Sequence, residues 1–85
     1  MPPITIYTKS WCPYCDAAKD LLRKKNAAFE EVSVEGDRAA QAQMAKRAAG
    51  RSTVPQIFIG ATHIGGCDDL YDLESAGELD ALLAG

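Results

Sequence analysis

Several features that define other protein classes are missing from this sequence. No apolar run approaches the roughly 20 residues that a membrane-spanning helix requires. No Lys or Arg precedes Lys9, and a strand-like segment already begins at Ile4, so we expect no secretory leader. Linkers, internal repeats and low-complexity tracts are also absent. We therefore expect residues 1–85 to form one small domain that does not contact a membrane.

Basic residues are missing from one part of the chain. Residues 52–85 contain six acidic residues and no Lys or Arg, whereas residues 1–51 contain all nine basic residues and the other six acids. The two parts carry −6 and +3, and the overall charge of −3 at pH 7 argues against a nucleic-acid-binding protein. The uneven distribution either reflects two ordinary solvated faces or serves a partner that carries charge of both signs.

Cysteine is scarce, and its number is odd. The three residues are Cys12, Cys15 and Cys67. Small secreted proteins that depend on disulfides have an even number of cysteines behind a leader. The sequence therefore predicts a protein of a reducing compartment, the cytoplasm, in which a close cysteine pair is either reactive or binds metal.

Hydrophobic periodicity predicts four strands and four helices in the order β-α-β-α-β-β-α-α. The strands are expected at Ile4–Thr8, Phe29–Val34, Gln56–Ile59 and His63–Ile64. The helices are expected from Pro13 to about Lys24, from Asp37 to about Ala49, from Cys67 or Asp68 to about Leu73, and after a capping box at Ser75–Glu78. A first β-α-β unit with parallel strands and a later hairpin predict an α/β fold, with a four-stranded mixed sheet flanked by helices.

The segment Cys12-Pro13-Tyr14-Cys15 lies between a predicted strand and a predicted helix. The first cysteine is expected at the helix N-terminus, where unpaired N–H groups and the helix dipole favour a thiolate. In Cys-x-x-Cys motifs the pKa of one thiol falls from about 8.5 to between about 3.5 and 7.5. A thiolate of low pKa is also a better leaving group, so Cys12 is suited to accept a sulfur partner and then release it.

A zinc site is the alternative interpretation of the cysteines. Cys12 and Cys15, together with His63 and Cys67, provide four ligand types at spacings that zinc sites use. A proline between the two cysteines beside a helix start is more typical of redox motifs. Both interpretations remain open from spacing alone.

Three motifs together resemble the glutaredoxin family, in particular its short bacterial members with two active-site cysteines. They are Cys12-Pro13-Tyr14-Cys15, Thr53-Val54-Pro55 and Gly65-Gly66-Cys67-Asp68-Asp69, in this order, and the resemblance covers the whole chain. It implies the thioredoxin fold, with Pro55 in the cis form next to the cysteine pair. It also implies that glutathione serves as co-substrate and electron donor, and that no metal is needed.

The resemblance further implies where glutathione would bind. Glutathione is an extended peptide with two carboxylates and one ammonium group, so it can pair with the backbone of Val54 like an added strand. Backbone N–H groups of Cys67 and Asp68, at a helix N-terminus, would bind the γ-glutamyl carboxylate, and the Asp68 side chain the ammonium. Lys9 and Arg47 would bind the glycine carboxylate. The implied binding residues are Lys9, Tyr14, Arg47, Thr53, Val54, Pro55, Gly66, Cys67 and Asp68.

Ordinary structural roles remain open for some residues near these motifs. Lys9 and Arg47 can be solvated surface charges. The closeness of Arg51 to Thr53 makes it a candidate to support substrate carboxylates, but a solvated surface charge is the role that we expect for it. We expect the Cys67 thiol to be structural, with its backbone more important than its sulfur. Trp11 either covers the edge of the core or contacts protein substrates.

The function that the resemblance implies is a glutathione–disulfide oxidoreductase that takes part in cellular redox homeostasis. Cys12 would be the nucleophile and Cys15 the resolving thiol of a redox-active disulfide. Expected partners are glutathione, glutathionylated proteins and disulfide-containing enzymes such as ribonucleotide reductase. Glutathione reductase is expected to act only indirectly, by regenerating glutathione. We expect the protein itself to be a monomer. The alternative function is a glutathione-assisted carrier of iron–sulfur clusters.

Overall fold

The computed structural model describes residues 1–85, and the order of its elements confirms the predicted one. The strands are β1 (Ile4–Thr8), β2 (Glu30–Ser33), β3 (Gln56–Ile59) and β4 (Thr62–Gly65). The helices are α1 (Pro13–Lys24), α2 (Arg38–Arg47), α3 (Cys67–Ser75) and α4 (Leu79–Ala84). None of the four helices has the length and apolar character needed to cross a membrane.

The four strands form one mixed sheet in the order β2-β1-β3-β4. β1 and β2 are parallel, with Thr5 opposite Glu30, and the connection between them passes through α1. β3 is antiparallel to both β1 and β4, so the predicted hairpin is present. The α/β architecture is therefore as predicted. The carboxyl end of β1, at the centre of the sheet, leads directly into the segment that carries the cysteines.

The main core lies between one face of the sheet and helices α1, α3 and α4. Alternate residues of a strand point to the same face, so Ile4 and Ile6 of β1 share this face with Ile57 and Ile59 of β3. The helices contribute the apolar side chains Ala18, Leu21, Leu22, Leu70, Leu79 and Leu83. This packing fixes α1, and with it the position of the cysteine pair at the start of α1.

The opposite face of the sheet is covered by α2 alone. Met44 and Ala48 are completely buried there, against a cluster that includes Tyr7 and Phe58. Four of the ten residues of α2 are alanine and Met44 is its one large apolar residue, so the helix has few large side chains to bury. The Arg47 guanidinium adds a polar attachment, since it stacks 4.1 Å from the centre of the Phe58 ring and donates a 2.9 Å hydrogen bond to the Tyr7 hydroxyl.

The capping box predicted at Ser75–Glu78 is wrong. Ser75 is the last residue of α3, and Glu78 precedes α4 without a side-chain hydrogen bond. The segment instead ends α3: Gly77 has φ +73°, and the N–H groups of Gly77 and Glu78 donate to the carbonyls of Glu74 and Leu73. This pair of bonds is a Schellman motif, which requires a left-handed residue that glycine adopts without strain.

We predict that Leu79→Ala lowers the free energy of unfolding by about 2–5 kcal/mol, because Leu79 is completely buried where α4 meets the main core. Leu82→Ala is the matched control on the same helix, since Leu82 is only half-buried, and its effect is expected to be clearly smaller. Urea denaturation followed by circular dichroism measures both. Equal losses for the two variants would contradict the packing described for α4.

Candidate active site

Cys12 is positioned by the turn from β1 into α1. It is the N-cap residue of α1, and Pro13 is the first helical residue, where its missing N–H leaves no hydrogen bond unmade. The Cys12 Sγ accepts a 3.1 Å hydrogen bond from the backbone N–H of Cys15. The sulfur therefore occupies the place that a Ser or Asp oxygen takes in an ordinary N-cap, where the helix dipole stabilises negative charge.

Cys12 and Cys15 form a disulfide, with Cα atoms 5.1 Å apart. The two sulfur-bearing residues differ in access to solvent. Cys15 is buried, with 1% of its surface exposed, because it faces the core from the first turn of α1, whereas Cys12 is half-buried. Once the pair is reduced, Cys12 is the thiol that an external disulfide can reach, and Cys15 is placed to attack a disulfide formed at Cys12.

A groove of about 160 Å³ lies beside the cysteine pair. Its walls come from α1, from the segment before β3 and from the start of α3. They consist of Tyr14, Arg51, Thr53, Val54, Pro55, Gly66, Cys67, Asp68 and Asp69. The Val54–Pro55 peptide bond is cis, as the resemblance implies. The groove thus combines the segment before β3 on one side with a helix N-terminus on the other.

The N-terminus of α3 is held by the Asp69 carboxylate. Its Oδ2 accepts a 2.8 Å hydrogen bond from the Gly66 N–H and a 3.2 Å ion-paired bond from the Arg51 guanidinium. These contacts, that with Gly66 foremost, hold the pKa of Asp69 below its ordinary value. Gly65 has φ +115°, and a side chain there would collide with Asp69 and Arg51, so this turn requires glycine.

The first N–H groups of α3 are free of carbonyl partners within the helix, as at any helix start. Those of Cys67 and Asp68 lie in the wall of the groove, where an anionic ligand can accept from them. The Cys67 side chain itself is buried. Burial, reinforced by the nearby Asp68 carboxylate, raises the pKa of the Cys67 thiol, so its sulfur is less reactive than an exposed thiol.

Comparison with known proteins gives a consistent result. The Glutaredoxin family profile matches residues 4–64. A glutaredoxin from Pseudomonas aeruginosa is 56% identical over 84 residues, which cover 99% of both chains. The chain belongs to the glutaredoxin family. Its paired cysteines accordingly make it a thiol–disulfide oxidoreductase.

Solved glutaredoxin structures agree in fold. The solution structure of glutaredoxin from Brucella melitensis is 52% identical, with a TM-score of 0.85 over 98% of this chain and 89% of that one. The crystal structure of a buckwheat glutaredoxin–glutathione complex is 31% identical, with a TM-score of 0.87 over 98% of this chain and 77% of that one. The sheet and helices described above are therefore those of the thioredoxin fold.

Most, but not all, of the residues expected at the glutaredoxin site come together. Seven of the implied binding residues line the groove, whereas Lys9 and Arg47 do not. Lys9 lies in the exposed connection between β1 and α1, next to Ser10 and Trp11. Arg47 is held over Phe58 on the α2 side of the sheet.

Arg51 supplies the guanidinium in the groove instead. In the sequence, Arg51 is a candidate for binding substrate carboxylates, but a solvated surface charge is the expected role. Its position just before the Thr53-Val54-Pro55 motif was the available signal, and its ion pair with Asp69 is visible only in the folded chain.

The four residues considered for zinc do not form a ligand set. Cys12 and Cys15 are joined to each other, and the His63 Nε2 lies 2.7 Å from the Gln56 side-chain oxygen, with its ring stacked on Phe58. No group of three or more His, Cys, Asp or Glu side chains is arranged to hold a metal ion.

Glu35 was not identified from the sequence, although it positions the connection between β1 and α1 that leads to Cys12. Glu35, in the loop after β2, accepts a 3.0 Å hydrogen bond from the backbone N–H of Ser10. Hydrogen bonding from Ser10 lowers the pKa of the Glu35 carboxyl. The bond ties the connection between β1 and α1 to the neighbouring loop, and nothing in the local sequence of Glu35 indicates this contact.

We predict that Asp69→Asn lowers the free energy of unfolding at neutral pH, by about 1 kcal/mol or less because the carboxylate is 45% exposed. The folded-state pKa of Asp69 is lowered, so its stabilising effect is complete above the unfolded pKa of about 3.9 and disappears as pH falls through the folded value. Urea titrations from pH 7 to pH 3 should show the difference from wild type shrinking below about pH 4.

The control for this prediction is Asp72→Asn, because Asp72 is exposed farther along the same helix. It should change the stability little at any of these pH values. A wild-type advantage over Asp69→Asn that stays constant down to pH 3 would contradict the charge-assisted cap.

Proposed function

We propose that the protein is a glutathione-dependent thiol–disulfide oxidoreductase that reduces protein–glutathione mixed disulfides and protein disulfides. The observation that supports this most strongly is the position of the half-buried Cys12 sulfur at the N-cap of α1, beside a groove suited to an extended anionic peptide. The buckwheat relative of the same fold was solved in complex with glutathione. Glutathione is then the co-substrate, and catalysis at the cysteine pair needs no metal.

The residues that line the groove support glutathione as the ligand through their backbone groups and their charges. The backbone of Val54 offers the pairing of an added strand, and Thr53, Pro55 and Gly66 form the walls. We assign the γ-glutamyl carboxylate to the N–H groups of Cys67 and Asp68, and the ammonium to the Asp68 carboxylate. Tyr14, which is 65% exposed, would flank the ligand from α1.

The glycine carboxylate of glutathione needs a cation. The resemblance assigns it to Lys9 and Arg47, but Arg47 is engaged with Tyr7 and Phe58. We therefore propose that Arg51 provides the guanidinium for a ligand carboxylate, and that Lys9 adds positive charge from the connection between β1 and α1.

Reduction of a mixed disulfide would begin with attack by the Cys12 thiolate on the glutathione sulfur. The bond between glutathione and the target protein breaks, the target leaves as a thiolate that takes up a proton, and Cys12 carries the glutathione. The thiolate of a second glutathione then attacks this glutathione sulfur. Glutathione disulfide leaves, and the Cys12 thiolate is restored.

Reduction of a protein disulfide would use both cysteines. Cys12 attacks one sulfur of the disulfide, and Cys15 then attacks Cys12, which releases the reduced target and leaves the Cys12–Cys15 disulfide. Two glutathione molecules reduce this disulfide and become glutathione disulfide, which glutathione reductase returns to the thiol form with NADPH. We propose that the protein works as a monomer in the cytoplasm, on glutathionylated proteins and on enzymes such as ribonucleotide reductase.

We predict that Cys12→Ser abolishes both activities, whereas Cys15→Ser keeps the reduction of mixed disulfides and loses most reduction of protein disulfides. Cys12→Ser removes the accessible sulfur that both reactions need. Cys15 is needed to release a reduced target from Cys12, whereas a second glutathione completes the reduction of a mixed disulfide without it. The assay couples the mixed disulfide of glutathione and 2-mercaptoethanol to glutathione reductase and NADPH. Activity that survives in Cys12→Ser and is lost in Cys15→Ser would reverse the assignment.

The alternative function, transfer of iron–sulfur clusters with the help of glutathione, makes a different spectroscopic prediction. Protein purified without oxygen would then show a broad visible absorption band and little turnover of mixed disulfides. Turnover without such a band would support the oxidoreductase.

We predict that Arg51→Ala raises the KM for glutathione about tenfold, because it removes a charge-assisted hydrogen bond to a ligand carboxylate. Arg47→Ala is the matched control: we expect it to lower the free energy of unfolding by about 1 kcal/mol through loss of the contacts to Tyr7 and Phe58, with a much smaller change in KM. Steady-state kinetics and urea denaturation separate the two effects. The opposite pattern of KM values would place the glycine carboxylate at Arg47.

A further inference from the structure

We infer that Trp11 contacts the polypeptide half of the substrate, at an apolar side chain next to the glutathionylated cysteine of the target protein. This inference rests on the function proposed above. It adds a specificity that the glutathione groove cannot supply, because the groove would hold the same tripeptide whatever the target.

Trp11 does not take part in the fold. Its surface is 99% exposed, so it covers no part of the core, and this excludes one of the two roles that the sequence left open. Its backbone has φ +57°, a left-handed conformation that is rare for large residues. Packing within the fold explains neither the full exposure of this large apolar side chain nor its backbone conformation, which favours glycine.

Two of the four exposed large apolar side chains flank the nucleophile in sequence. The four large apolar side chains that are exposed are Met1, Trp11, Tyr14 and Tyr71. Trp11 immediately precedes Cys12 and Tyr14 follows it by two residues. Tyr14 lines the groove assigned to glutathione, whereas Trp11 does not.

Trp11 lies beside a second depression, on the β2 side of the cysteine pair. This depression has a volume of about 250 Å³ and shares no lining residue with the groove. Its other walls include Glu31 and Ser33 of β2, whereas the groove is formed next to β3 and α3. Because β1 lies between β2 and β3, the residues that follow β1 separate the two sites.

The exchange reaction brings two different chains, glutathione and the target, close to the Cys12 sulfur. In a mixed disulfide, one sulfur belongs to glutathione and the other to the target. Cys12 attacks in line with the disulfide bond, so the departing target sulfur lies beyond the glutathione sulfur as seen from Cys12. Glutathione would occupy the groove beside this line of three sulfurs, so the chain that flanks the target sulfur can contact the protein only on the other side of the line. The depression beside Trp11 is the surface that the structure offers there.

Of the four charged side chains in this depression, only Lys9 has no ion-pair partner within 4 Å. The Lys19 ammonium lies 3.0 Å from the Glu31 carboxylate and 3.7 Å from that of Asp16, so these charges are already paired. The exposed ring of Trp11 is the large apolar group available to a ligand. Aromatic anchors of this kind dominate the energetics of many protein contacts.

Two synthetic decapeptides test the inference. Both carry a central cysteine as its mixed disulfide with glutathione, and they differ only in the residue next to that cysteine, leucine in one and serine in the other. For the wild-type protein we expect kcat/KM to be about fivefold higher with the leucine peptide. Trp11→Ala and Trp11→Gly should reduce this ratio to about one, and Trp11→Phe should retain most of it.

Comparison of Trp11→Ala with Trp11→Gly separates the effect of the side-chain contact from that of the backbone conformation. Glycine adopts a positive φ without strain and alanine does not, so equal loss of the ratio in both variants points to the missing ring. A wild-type ratio near one, or a ratio that persists in Trp11→Ala, would overturn the inference. If the wild-type protein turned over neither the peptides nor the mixed disulfide of glutathione and 2-mercaptoethanol, the proposed function itself would fail, and this inference with it.

Fluorescence gives a second measurement, because Trp11 is the single tryptophan of the chain. In a Cys12→Ser, Cys15→Ser double variant the buried Cys67 is the one thiol left, so no exchange can occur at the active-site pair and binding is observed alone. We expect the leucine peptide to shift the tryptophan emission to shorter wavelength, and the serine peptide to shift it less. An unchanged emission at leucine-peptide concentrations well above the wild-type KM would also overturn the inference.

Discussion

The sulfur of Cys12 serves as the N-cap of α1, and the chemistry of the protein depends on this placement. The backbone N–H of Cys15 points at the sulfur, and the helix dipole stabilises the anion that disulfide exchange requires. The same turn buries Cys15 within one helical turn of Cys12. One local arrangement thus supplies both an accessible sulfur and a buried one, which the proposed roles of nucleophile and resolving thiol require.

The fold keeps this arrangement in place from two directions. First, the apolar side chains of α1 pack in the main core, and this packing holds the start of the helix against the sheet. Second, two hydrogen bonds hold the residues that precede Cys12. The Ser10 N–H donates to the Glu35 carboxylate, and the Thr8 hydroxyl donates a 2.7 Å bond to the Glu31 carboxylate. A thiol at the end of a short and well-held segment can meet a ligand in a fixed groove with little loss of conformational freedom.

Two arginines illustrate how position decides the role of a charge. Arg47 and Arg51 are four residues apart, yet Arg47 is used to attach α2, a helix with few apolar side chains, to Tyr7 and Phe58. Arg51 follows the end of the same helix, pairs with Asp69 at the start of α3 and lines the groove. The positive N-terminal and negative C-terminal parts of the chain therefore meet at the site, where a ligand with charges of both signs would bind.

The sequence by itself determined the order of the elements, the mixed sheet and the motif that carries the reactive pair. These are properties of local periodicity, of Pro13 at a helix start and of cysteines three residues apart, and such signals act over short distances along the chain. The tertiary structure decided which arginine faces the groove, that Glu35 holds the connection before Cys12, and that Trp11 is left in solvent. It also decided between two local signals at Ser75–Glu78, the capping-box pattern and the glycine Gly77, which ends α3. Each of these outcomes depends on packing between residues that are distant in sequence or on a backbone conformation that neighbouring elements select, and neither leaves a periodic pattern to detect.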